Sequence, residues 1–169
     1  MDNQQERLEL EMAWLAGFFE GEGHISLCKC ANTSKKSLGK PRYVPMVGLC
    51  NTDYIVLPEV KRVLDLSGVS YCVYEARING IGKKPKWELN FKGIEKSHTF
   101  CKWIHPYLKG YKKLRAEKLI QFCEMRWEKL KISHQAPYGI EEESIYKDMY
   151  SFTGKTHSKI LNDFTSCAV

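Results

Sequence analysis

The strongest constraint on the fold is a nine-residue stretch near the amino end, Leu15-Ala16-Gly17-Phe18-Phe19-Glu20-Gly21-Glu22-Gly23. The residues leading into it, from Gln5, include no Gly or Pro, and Leu8, Met12, Leu15 and Phe19 recur at helical spacing. Trp14 and Phe18 form a second apolar strip, and between the two runs a narrow third strip of Ala13, Ala16 and Gly17 that ends at Gly21. A helix that is apolar on most sides is buried on most sides. Small residues at Ala13, Gly17 and Gly21 remove the side chains that normally hold two helix axes apart. The pattern predicts a helix wedged between its own domain and another helix of the same kind. No second copy of the stretch and no internal repeat occurs in the 169 residues, so the twin helix has to come from another chain.

The end of this helix is chemically unusual. Glu20 and Glu22 sit where the helix runs out into Gly23, beside the negative end of its dipole, where acids are disfavoured by a few tenths to ~1 kcal/mol. Two acids there call for a counter-charge. A divalent cation held by carboxylate and backbone carbonyl oxygens would supply it, and oxygen-only donors favour Mg²⁺ or Ca²⁺ over zinc. The plain alternative is that both carboxylates reach solvent at a helix terminus.

The rest of the chain narrows the class. Lys+Arg 26 against Asp+Glu 20 gives a net charge of +6, which a symmetric dimer doubles and which favours a polyanionic partner. No apolar run is long enough to span a bilayer and no signal-peptide pattern opens the chain, so the expectation is an intracellular protein, in the cytoplasm of a prokaryote or an organelle matrix, with no membrane partner. Seven Cys, an odd number without CxxC pairs, fit free thiols in a reducing compartment. Cys28 and Cys30 would share one face of a strand, yet no second pair completes a zinc site.

Past the opening helix the segments alternate in type. Positions 24–30 read as a strand with His24, Ser26, Cys28 and Cys30 on one face and Ile25, Leu27 and Lys29 on the other. The stretch 31–41 reads as a basic loop, and 42–50 as a second strand that Pro45 marks as edge or bulged. Thr52 or Asp53 caps a helix running to Leu66, with Ile55, Leu57, Val60, Val63 and Leu64 buried, and Ser67-Gly68 ends it. A hairpin follows over 69–78 and 86–91, turning at Asn79-Gly80-Ile81-Gly82. Helices are predicted over about 95–105, 112–131 and, more weakly, 140–150. The order α-β-β-α-β-β-α with further C-terminal helices is α+β with antiparallel hairpins, rather than a βαβ crossover fold. The domain runs over 1–135, and 136–169 forms an extension, packed on it or loose.

An antiparallel sheet with one core face can offer the other to a DNA groove, where Arg, Asn and Lys read base edges. The candidates for that face are Lys29, Arg42, Tyr43, Tyr71, Glu75, Arg77, Lys86, Trp87 and Asn90, flanked by loop lysines Lys35, Lys36, Lys40, Lys83 and Lys84. A solvated outer face is the plain reading for any one hairpin, but a basic loop in each of the two argues for a shared ligand. A further cationic cluster, Lys109-Gly110-Tyr111-Lys112-Lys113-Leu114-Arg115, opens the last long helix.

The nine-residue stretch resembles the LAGLIDADG motif of homing endonucleases, with Leu15, Ala16, Gly17, Gly21 and Gly23 identical and Glu20 and Glu22 standing for its two acids. The likeness covers about residues 8–130, although outside the motif it rests on segment order and short similarities. It implies a LAGLIDADG homing endonuclease fold of the single-motif, homodimeric type, with a four-stranded antiparallel DNA-binding sheet and Ala13, Gly17 and Gly21 at the dimer interface. The implied activity is site-specific double-strand cleavage of a long pseudo-palindromic DNA target by metal-dependent phosphodiester hydrolysis, in an intron-encoded enzyme. Mg²⁺ is the implied cofactor, with Mn²⁺ as substitute and Ca²⁺ bound without efficient cleavage. By the same resemblance Glu22 and the main-chain oxygen of Gly21 bind the metal, while Glu20 is structural. Matching Pro106-Tyr107-Leu108-Lys109 to the family pattern places Lys112 as the lysine that offsets charge on the scissile phosphate, with Lys113 or Lys109 as alternatives. Asn51 is nominated to hold water near the metal. Two other functions stay open at this point: a group I intron maturase, with intron RNA as partner, and a non-cleaving DNA-binding protein of the same fold.

Overall fold

The computed structural model describes residues 3–31, 41–76 and 84–151. Helix α1 spans Asn3–Glu22 and runs without a loop into strand β1, Gly23–Ala31. Strand β2 (Pro41–Asn51), helix α2 (Leu57–Ser67), strands β3 (Cys72–Ala76) and β4 (Lys86–Lys92), helix α3 (Ile94–Ile104), a 3-10 turn at His105–Tyr107, and helices α4 (Tyr111–Ile132) and α5 (Ile140–Ser151) follow. The four strands form one antiparallel sheet in the order β1-β2-β4-β3. The α-β-β-α-β-β-α order expected from the sequence is therefore the order observed.

Strand alternation divides the sheet into two faces. Ile25, Leu27, Tyr43, Val47, Leu49, Trp87, Leu89 and Phe91 are buried beneath the helices. The other face carries His24, Ser26, Cys28, Cys30, Arg42, Met46, Cys50, Cys72, Tyr74, Lys86, Glu88, Asn90 and Lys92, and no described helix lies over it. Aromatic rings knit the covered side. Phe91 stacks on Phe100 of α3 at 3.8 Å, Phe100 meets Phe19 of α1 at 5.2 Å, and Phe18 faces Trp87 at 6.4 Å. Gly93 turns the chain from β4 into α3 at φ 89°, a left-handed conformation that favours glycine.

Several local expectations give way to tertiary context. β2 is an interior strand, not an edge, but β4 pairs with it only over Met46–Asn51, so Pro45 sits where β2 has the single neighbour β1. Neither Thr52 nor Asp53 caps α2. The Asp53 carboxylate instead accepts the Ile55 N–H at 2.8 Å, closing a turn before the helix begins at Leu57, and Ile55 is left exposed. Ala16 is buried in the core rather than sharing the small-residue strip.

Candidate active site and nucleic-acid interface

The two acids of the motif end up in different surroundings. The side chain of Glu20 turns toward the start of α4, where its Oε1 accepts the N–H groups of Lys109 at 2.9 Å and Gly110 at 3.1 Å. Those donors stand at the positive end of the α4 dipole, so the Glu20 charge is met by backbone. Glu22, the last residue of α1, is exposed and has neither hydrogen bond nor ion pair among the described residues. Gly21 beside it is exposed as well.

Lys112 comes up beneath this junction from the first turn of α4. Its side chain is enclosed, with the residue only 3% exposed, and Nζ donates to the carbonyls of Phe19 at 2.8 Å and Glu20 at 2.6 Å. The ammonium thus occupies the negative end of α1, where a cation is favoured. Burial pushes the Lys112 pKa below its usual 10.5, while the charges of Glu20 and Glu22 pull it back up. Arg115, one turn on, donates to the Ile25 carbonyl at 3.2 Å and so ties α4 to β1. Lys113, one of the two alternatives to Lys112, forms no side-chain bond of this kind.

Beyond Glu22 the chain enters the open sheet face directly. His24, two residues on, is half-buried there, and burial lowers its pKa from the ordinary 6.5 against the raising effect of Glu88. Of the residues nominated for DNA contact, Arg42, Lys86 and Asn90 lie on this face, and Lys84 is exposed just before β4. Lys35, Lys36, Lys40, Arg77 and Lys83 fall outside the described residues.

Other nominations are corrected by the packing. Trp87 is wholly buried under α1, its indole N–H donating to the Asp53 carbonyl at 2.7 Å. Tyr43 is 1% exposed on the same covered face, and its hydroxyl bonds the carboxylate of Glu143 in α5. Lys29 alternates onto that face with Ile25 and Leu27 and pairs with Glu143 at 2.6 Å. Glu75 lies opposite Trp87 and shares its side of the sheet, and the Tyr71 hydroxyl donates to Asp65 of α2 at 2.7 Å. Asn51 closes the turn after β2: its Oδ1 accepts the Asp53 N–H at 2.8 Å, and Cys50 holds the open-face position at that end of the strand. That contact holds the Asn51 side chain against the turn. Conversely, His24, Met46, Tyr74 and Glu88 stand on the open face and were not singled out. Simple alternation from Gly23 would have found the first, whereas Tyr74 and Glu88 needed the β3–β4 register.

The motif helix also keeps an uncovered face. A Cβ built on Gly17 or Gly21 meets nothing within 4 Å, Ala13 is exposed, and Leu10 and Trp14 on the same side are 72% and 38% exposed. All six described cysteines are free thiols, with Cys101 and Cys123 in the core and the rest on the open face. No group of three or more His, Cys, Asp or Glu that could hold a metal occurs among the described residues.

The chain is thus a sheet with helices on one face and an acidic helix end opening onto the other, and comparison with solved structures places the fold. No family model matches the sequence, and no curated protein matches it. The homing endonuclease I-CvuI, in complex with its target in the presence of 2 mM Ca, superposes with a TM-score of 0.63 at 17% identity, over 88% of this chain and 85% of that one. I-TnaI, a homing endonuclease, gives 0.60 at 15% identity over 90% and 96%. The group I intron-encoded homing endonuclease I-CeuI, complexed with DNA, gives 0.62 at 14% identity over 83% and 66%. The fold is that of the LAGLIDADG homing endonucleases.

Proposed function

We propose that the protein is a site-specific DNA endonuclease that works as a homodimer and hydrolyses phosphodiesters with a divalent metal ion. The observation that carries this reading is Glu22: a solvent-facing carboxylate that forms no ion pair among the described residues, at the end of a helix, where α1 opens onto the uncovered sheet. A binding surface for polyanions has no use for an unpaired acid at its centre, whereas a metal-assisted hydrolase does. The donor set fits a hard cation. Glu22 and the Gly21 carbonyl offer oxygen only, the donor type that a hard cation takes. One subunit supplies a single carboxylate there, so phosphate oxygens, water and the second subunit would complete the shell. A divalent ion held by Glu22 and the Gly21 carbonyl would supply Lewis acidity toward the phosphoryl oxygens and the attacking water.

The remaining parts belong to the chain itself. Lys112 fixes the carbonyl end of α1 and keeps a positive charge behind Glu22, which offsets the charge that grows on the phosphate. Glu20 locks α1 to α4, so that Glu22 and Lys112 keep their relative positions. The open sheet, with Arg42, Lys86 and Asn90, follows the duplex, and two copies related by a two-fold axis read a roughly palindromic site. The test is cleavage of a duplex made by joining the sequences that flank the host intron. Cutting is expected with Mg²⁺ or Mn²⁺, with binding alone in Ca²⁺ and neither strand cut in EDTA. Full activity in chelator, or sequence-specific binding that no divalent ion converts into cutting, would sink the reading.

A further inference from the structure

The polar side chains of the open face fall into two groups. Lys86 pairs with Glu88 at 2.6 Å, the Lys92 ammonium stands over the Tyr74 ring at 4.5 Å, and the Ser26 hydroxyl donates to the Met46 carbonyl at 3.5 Å. His24, Asn90 and Arg42 make no hydrogen bond or ion pair with another described residue. Arg42 is exposed and reaches water, but His24 and Asn90 are half-buried. A half-buried amide and imidazole whose donors and acceptors have no protein partner among the described residues keep them turned to the solvent of the open face, where a ligand can take them up.

These two residues are also held together. His24 pairs across the sheet with Gly48, and Gly48 with Asn90, so the three stand in one row. A Cβ at Gly48 would lie 2.9 Å from His24 Cε1, 2.5 Å from Asn90 Oδ1 and 2.4 Å from the Leu89 carbonyl oxygen. Position 48 therefore needs glycine for space: two neighbouring side chains lean into the volume where its own would stand. The pair forms part of the wall of a depression of about 570 Å³ in the open face.

We propose that His24 and Asn90 act as one base-reading element that selects purines in the major groove beside the cleaved phosphate. The inference rests on the DNA-cutting function proposed above. The Asn90 amide matches adenine, accepting from N6–H and donating to N7, and a ring N–H of His24 donates to N7 of the adjoining purine. His24 follows Glu22 by two residues of extended chain, roughly 7 Å or about two base steps, so this contact falls near the cut. Arg42, at the far end of the β1–β2 ribbon, serves the outer part of the target instead.

The experiment is recovery of binding sites from a pool of randomised duplexes by the full-length protein, followed by sequencing. For the wild type, each half-site should show adjoining purine preferences at its inner positions. Asn90→Ala should reduce the adenine preference at one inner position roughly ten-fold or more, and His24→Ala the purine preference at the next, with the outer positions still read. Gly48→Ala should weaken both together, because one methyl group displaces both side chains. Should that variant fail to fold, the two open-face alanine variants decide the matter alone. Recovery of the wild-type consensus by both, or a loss spread evenly over all positions, overturns the pairing of roles. A wild type that recovers no consensus overturns the DNA-recognition reading itself, and this inference with it.

Discussion

At the scale of single residues, two glutamates separated by one glycine have opposite electrostatic situations. Glu20 is matched by two backbone N–H groups at the start of α4, whereas Glu22 has no counter-charge within bonding distance among the described residues. Glu22→Gln should therefore lower the single-turnover cleavage rate on the order of a hundred- to thousand-fold or more, with DNA affinity kept or improved, because a carboxylate facing phosphates is removed. Glu20→Gln weakens two charge-assisted bonds and should appear mainly as about 1–2 kcal/mol of lost stability in thermal unfolding, with cutting retained at low temperature. A dead Glu20 variant beside an active Glu22 variant would reverse the assignment. Lys112 combines both effects. Methionine in its place leaves the Phe19 and Glu20 carbonyls without their ammonium and removes the charge behind Glu22. Lys112→Met is expected to lower the melting temperature and, well below melting, to slow cleavage at saturating DNA with affinity nearly unchanged. Weakened binding with a normal saturated rate would make it a docking residue only.

At the scale of elements, α5 is fastened by charge. Glu142 is fully buried, and it accepts from Arg126 at 3.0 Å, from Lys129 at 3.1 Å and from the Gly139 N–H at 2.8 Å. Arg126 also holds the carbonyls of Ala136 and Pro137 and stacks on Tyr138 at 4.1 Å, so one guanidinium organises the whole α4–α5 connection. Burial raises the Glu142 pKa, but the hydrogen bonds from Gly139, Lys129 and Arg126 outweigh it and the net shift is downward from 4.5. A carboxyl held below its unfolded value adds stability that is fully present above that value and is lost as pH falls through the folded one. Acid should thus release α5 below about pH 4.5. Glu142→Ala should destabilise by roughly 3–5 kcal/mol at neutral pH, because it strands a buried arginine, and should abolish that acid transition. Unchanged circular-dichroism melts for this variant would show that α5 is held by its apolar face alone. None of this network was visible in the sequence, because Arg126 and Lys129 of α4 meet Glu142 of α5 only through the path of an aperiodic connection. The helices themselves were legible: α1 from its apolar spacing, and α3, α4 and α5 to within about a residue. Face assignment on the sheet was legible only where alternation was allowed to rule. Residue type alone puts Lys29, Tyr43, Glu75 and Trp87 on the DNA side, and strand parity puts them on the covered one. Trp87 and Tyr43 are buried all the same, because the polar end of each finds a partner remote in sequence, Asp53 or Glu143. The motif acids were legible as a pair and the resemblance implies different roles for them, but the backbone N–H groups that meet Glu20 come from the start of α4, far along the chain.

At the scale of the whole molecule, the proposed function gives the open sheet face and the bare side of α1 two different partners. The first should respond to salt. A protein that neutralises several phosphates loses affinity steeply as ionic strength rises, so the slope of log Kd against log salt should be large, and reduced by about one unit in Arg42→Ala. The second surface gives a sign test. Gly17 lies within α1, and a methyl group added there touches nothing within 4 Å among the described residues of the single chain. For a monomer whose α1 face meets only water, Gly17→Ala would stabilise the fold by about 0.5–1 kcal/mol, since alanine is the better helix former. If two α1 helices cross at this point, the same methyl group occupies the space that brings their axes together, and the substitution weakens association instead. The expected outcome is the second. The wild type should be a dimer by light scattering, with a melting temperature that rises with protein concentration. Gly17→Ala should dissociate at higher concentration than the wild type and lose cleavage in proportion to the dimer lost, while Gly17→Leu should be monomeric and inactive yet folded. A wild-type monomer at all concentrations, stabilised by Gly17→Ala, would remove the shared two-fold site and leave Leu10 and Trp14 exposed for another reason.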